Sequence, residues 1–181
     1  MQDQELKNRA QLMKMILAAL FLAVAYLLPF VTGQIPRIGK MLCPMHIPVL
    51  LCGFLCGWSW GLTVGFAAPL LRSLTLGVPL FFPQAVAMAF ELAAYGAVAG
   101  FLYQWLGKKG RHLYTSLLIA MVVGRLVWGS AMVICMGLGG AHFGWLAFWS
   151  GAVLQAIPGI ISQIVLIPIL VRACERYFPI E

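Results

Sequence analysis

Apolar positions in this chain do not alternate with polar ones. They run on in long stretches broken by short polar, glycine- and proline-bearing intervals. A β-barrel strand would alternate over about 10 residues, whereas a membrane helix needs about 20 mostly apolar residues. The pattern predicts six helices, over residues 11–28, 46–58, 60–76, 84–106, 113–136 and 145–177. Prolines punctuate them. Pro29 closes the first, and Pro48 suits the first turn of a short second helix. Pro69 kinks the third, and Pro79 and Pro83 mark the connection to the fourth. Lys108, Lys109, Arg111 and His112 separate the fourth from the fifth, and a glycine-rich loop over residues 137–144 precedes the sixth. The sixth is too long for one straight span, so a break is expected at Pro158-Gly159.

Composition narrows this to one class. Of 181 residues, 62% are hydrophobic and only 9% charged, against roughly 25% charged in soluble domains. That excludes a soluble enzyme, a disordered chain and a disulfide-stapled scaffold. The expected fold is an all-α integral membrane protein. It is a single domain over residues 1–181, a compact bundle of six transmembrane helices with no room for a soluble domain. The apolar run after Lys7, Arg9 and Lys14 lacks a small-residue cleavage site and reads as a retained first span. The net charge of +7 reports topology rather than nucleic-acid binding. With six spans, the bases at 7, 9, 14, 108, 109, 111, 172 and 176 share one side, against Arg37 and Lys40 on the other. Both termini are therefore expected in the cytoplasm, in a multi-pass protein of the cell membrane.

Candidate chemistry lies in what the spans should not contain. Arg72, Glu91 and Arg125 fall inside predicted spans, where ionisable groups cost several kcal/mol and face a cavity or a partner. Their sum of +1 suits a cavity that meets an anion. Arginine's planar fork matches a carboxylate with two parallel hydrogen bonds. A purely structural reading stands beside it: Glu91 pairs with one arginine, and Arg72 snorkels to the headgroups. Gln84, His142, Gln155, Ser162 and Gln163 are secondary contacts, or amide glue between helices. His46 opens the second helix as a ligand contact or a loop anchor. The five cysteines form no metal framework, and there is no Walker A run or HExxH pair. No cofactor, metal or catalytic group is expected, and the chain cannot energise transport alone.

The first helix carries Ala19 and Ala23 as a small-xxx-small pair, a face that lets another backbone approach closely. The second to fourth segments run Pro44-Met45-His46-Ile47-Pro48-Val49-Leu50-Leu51-Cys52-Gly53-Phe54, then Gly61, Gly65, Pro69-Leu70-Leu71-Arg72-Ser73-Leu74, Phe82-Pro83, Met88, Glu91-Leu92 and Tyr95-Gly96. With the size and the span count, these resemble the substrate-binding S component of energy-coupling factor (ECF) vitamin transporters, in a pantothenate-type or related branch. The resemblance implies a subunit that binds a vitamin-like small molecule from outside. It implies docking through Ala19 and Ala23 on a shared transmembrane scaffold, with two cytoplasmic ATPases driving a toppling motion in the bilayer. It also implies that the loop over residues 32–43, with Gln34, Arg37 and Lys40, covers the site. Riboflavin, pyridoxine-like compounds and folate are alternative substrates within the family. A reading of another class is an integral membrane enzyme using His46, Glu91 and His142.

Overall fold

In the computed structural model, residues 2–32, 43–107, 110–138, 144 and 157–177 are described. They form six helices: α1 (Gln2–Thr32), α2 (His46–Cys56), α3 (Trp58–Leu76), α4 (Val86–Leu106), α5 (Gly110–Leu138) and α6 (Ile157–Tyr177). A π-helical turn, Phe81–Ala85, leads into α4. No strand occurs among the described residues. Among the described residues four segments are long and apolar enough to cross a membrane: Gln4–Val31, Phe81–Leu106, Gly110–Leu138 and Ile157–Arg176. At 11 residues, α2 is about 16 Å long, roughly half a bilayer's hydrocarbon thickness. It joins α3 through Gly57 alone, whose φ of 104° favours a residue without a Cβ.

The bounds of α1 and the start of α4 differ in ways that matter here. Helix α1 starts at Gln2 and runs through Pro29 to Thr32. Its first residues, Gln, Glu, Leu and Lys among them, are good helix formers, and a proline in a membrane helix is tolerated where its surroundings re-satisfy the backbone. Gln84 does not open α4; it lies exposed in the π-helical turn, because Phe82 takes an extended conformation (φ −120°, ψ 132°). The described part of α6 is Ile157–Tyr177, with Pro158 at its start and Pro168 inside it. Residues 145–156 of the expected sixth helix lie outside the described residues.

Helix α4 is the centre, packed against α2, α3 and α5, while α1 lies on α2 and α3, and α6 lies mainly on α2. Glycines let the central backbones touch. A Cβ on Gly53 would strike the Gly96 carbonyl, and one on Gly96 would strike that of Gly61. Gly65 faces the Leu92 carbonyl, and Gly100 faces the Gly53 carbonyl and the Trp58 backbone. Lipid tails are as apolar as leucine, so close packing of this kind, rather than hydrophobicity, drives association. One apolar cluster, including Leu50, Phe54, Tyr95, Tyr103, Leu117 and Ile167, joins α2, α4, α5 and α6. A second, including Ala18, Ala25, Val49, Cys52, Val64 and Leu92, joins α1 to α2, α3 and α4.

The bundle has two distinct ends. At one, the end of α1 meets the end of α3 through Tyr26 Oη and Thr75 Oγ1, 3.0 Å apart. At the other, the Tyr103 hydroxyl donates to Glu175 Oε1 at 2.8 Å, and Gly110 adjoins the Arg172 guanidinium. That second end also carries Lys7, Arg9, Lys14, Arg111 and Arg176, and is the basic end of the molecule.

Candidate functional site

Three of the predicted residues converge. His46 is the first residue of α2, Glu91 lies in the second turn of α4, and Arg125 is near the middle of α5. Arg125 Nη1 lies 2.9 Å from Glu91 Oε1, and His46 Nε2 lies 3.3 Å from the same oxygen. Glu91 and His46 are only 2% and 3% exposed, and Arg125 is 15% exposed. A buried ion pair recovers its desolvation cost only with good geometry and further hydrogen bonds. Here the carboxylate gathers two donors from two other helices, tying α2 and α5 to the central α4.

The guanidinium is not saturated. Its Nη1 serves Glu91, and among the described residues its Nη2 reaches the Cys43 sulfur alone, at 3.8 Å. Nε is buried without a partner. Nε and Nη2 form the side edge of the fork, the edge that takes a carboxylate with two parallel bonds. The Tyr95 hydroxyl, also buried, belongs to the same cluster; it lies beside the Arg125 guanidinium without completing a well-formed hydrogen bond, and its other charged or polar neighbours are Glu91 and Cys43. Tyr95 follows Glu91 by one turn of α4, and its ring meets the His46 ring edge-on at 5.0 Å. Gly124 makes room for it, since a Cβ there would strike the Tyr95 ring. Spacing alone left Tyr95 among the residues of a family resemblance. Its position four residues after Glu91 was the available signal that both face one way.

Arg72 lies elsewhere. From α3 it donates to the Tyr26 carbonyl of α1 at 2.8 Å, and its guanidinium sits 4.8 Å from the centroid of the Phe30 ring. It therefore holds the end of α1, near the Pro29 position, and does not join Glu91 and Arg125. Of the amides, Gln163 on α6 is fully buried with both amide atoms unpartnered. Ser162 turns its hydroxyl to the Gly159 carbonyl at 2.8 Å. Gln34, Arg37, Lys40, His142 and Gln155 lie outside the described residues. Ala19 and Ala23 are exposed on α1, whose inner face is made instead by Ala18 and Ala25. Among the described residues no three His, Cys, Asp or Glu side chains come together as a metal site.

Against known proteins, residues 13–171 match the family described as "ECF transporter, substrate-specific component". No curated protein and no solved structure matches the chain. The match covers most of the sequence, and the chain belongs to this family: it is the substrate-specific component of an ECF transporter, an all-α membrane protein.

Proposed function

We propose that this substrate-specific subunit binds a vitamin-like solute carrying a carboxylate, of which pantothenate is the leading case, at the Arg125–Glu91–His46 cluster. The observation that supports the reading is the unsaturated side edge of Arg125, with Nε buried and unpartnered and Nη2 reaching a thiol at 3.8 Å. Glu91 fixes the guanidinium from its other nitrogen, so the fork is oriented before a ligand arrives. Tyr95 and His46 each keep a buried polar atom, Oη and Nδ1, for the rest of the ligand. Gln163, with an unpaired buried amide, is a further contact. Arg72, Gln84, Arg37, His142 and Gln155 remain contacts to test by substitution. The basic end faces the cytoplasm by the distribution of Lys and Arg, which puts both termini there and the start of α2 toward the outside.

For energy the subunit depends on a transmembrane scaffold and two ATPases, docking through the outward face that carries Ala19 and Ala23. Its role is to bind rather than to catalyse. The test is a binding screen of the purified protein against pantothenate, riboflavin, pyridoxine and folate, with Arg125→Lys beside the wild type. Lysine keeps a positive charge for Glu91 but lacks the fork. A carboxylate ligand should lose about tenfold or more in affinity, the lower range for a charge-assisted hydrogen bond. Unchanged affinity in Arg125→Lys would remove the carboxylate reading. Turnover of an added lipid that disappears in His46→Ala would replace the transport reading with an enzymatic one.

A further inference from the structure

At the basic end, far from the Glu91 cluster, α1 extends past the α2–α3 turn and a cleft of about 470 Å³ opens between them. Lys7, Gln11 and Lys14 line it from α1; Trp58, Ser59 and Trp60 line it from the first turn of α3; and Gln104 lines it from α4. The heptad face of α1 that is apolar at Ala18 and Ala25 is thus basic at Lys7 and Lys14. No carboxylate lines the cleft, and neither lysine has an ion-pair partner among the described residues. Helix α3 starts here with Gly57 at its cap and no side-chain hydrogen bond to its first N–H groups. Those groups add to the positive potential.

We propose that this cleft holds the phosphate of an anionic phospholipid. Two unpaired ammonium groups supply the charge. Ser59 and the amides of Gln11 and Gln104 supply neutral hydrogen bonds to the phosphate and the glycerol. Two observations select a lipid over a free phosphate. Trp58 and Trp60 flank the cleft, and tryptophans mark headgroup depth. An exposed apolar row then leads away from it down α3, Trp58, Leu62 and Phe66, with Phe90 of α4 stacked edge-on against Phe66 at 5.6 Å. The row follows the i, i+4, i+8 spacing of one helix face, and an acyl chain descending from the cleft lies along it.

The experiment is native mass spectrometry of the full-length protein in detergent, titrated with phosphatidylglycerol or phosphatidylcholine of the same acyl chains. One phosphatidylglycerol should be retained in preference to phosphatidylcholine. The K7Q/K14Q double variant should weaken it about 30-fold, from roughly fivefold per lysine at a membrane surface, and K7R/K14R should restore it. Thermal unfolding and size-exclusion elution of the same samples report that the fold is intact. Excess inorganic phosphate should not displace the lipid; if phosphate competes fully, the site takes phosphate alone and the lipid assignment fails. If K7Q/K14Q retains phosphatidylglycerol as the wild type does, the proposal is overturned. Loss of scaffold capture by that variant, with lipid binding unchanged, would assign the cleft to a protein partner instead.

Discussion

Helices α1 and α4 read almost alike as sequence: long, apolar and rich in alanine. They occupy opposite situations. Over its most apolar window α4 is 56% buried in the bundle, whereas α1 is 11% buried near the chain's start. Hydropathy says that a helix belongs in lipid; it does not say which neighbours it takes. In α4 that choice is made by Gly96 and Gly100, which admit other backbones, and by Glu91, which bonds to two other helices. Helix α1 touches its neighbours through Ala18 and Ala25 and is fastened near one end by Arg72. Helix α4 is held by its neighbours on several sides, and α1 leaves most of its surface outside the bundle.

Substitutions can break this contrast, and the largest effect should come from Glu91→Gln. It leaves the Arg125 charge buried without its counter-charge, and removing one partner of such a pair costs about 3–5 kcal/mol. Thermal unfolding in detergent should show the loss, and a melting temperature equal to wild type would remove the ion pair from the account of α4. Next is Gly96→Leu, whose side chain meets the Gly61 backbone and has no rotamer that avoids it. A cost of about 3 kcal/mol, at the upper range for overpacking, should appear as aggregation on size exclusion or a lowered melting point. Arg72→Met should cost about 1 kcal/mol, from one hydrogen bond and one cation–π contact, and should raise proteolysis of α1 without changing the rest of the bundle. Smallest in stability is Ala19→Trp with Ala23→Trp, near zero because both positions are exposed. The same pair should abolish uptake in cells while purified protein still binds substrate. Loss of binding in the purified double variant would show that this face of α1 serves the site and not a partner.

How much of this was readable beforehand follows the same division. Helix positions were legible because each needs only a run of apolar residues and a proline or glycine at its edge. The centres of the first five helices fall where expected, and even the shortness of α2 was visible between His46 and Trp58. What a sequence does not carry is azimuth. Arg72, Glu91 and Arg125 lie on the helices expected, yet only the last two meet, because Arg72 lies on the side of α3 that faces α1. The glycine contacts were overlooked as packing although Gly61-xxx-Gly65 and Gly96-xxx-Gly100 repeat the spacing noticed at Ala19 and Ala23. The two glycine pairs are used inside the bundle and the alanine pair outside it, and spacing alone does not separate those uses.

The contact of Gly53, Gly61 and Gly96 has a mechanical side. Where backbone lies on backbone there are no rotamers to redistribute, so order there costs no side-chain entropy and the junction yields little under compression. A change in lateral pressure, from thicker or thinner lipid, will therefore be taken up at the periphery. Helix α1 will tilt or slide against a stiff keel of α2, α3 and α4.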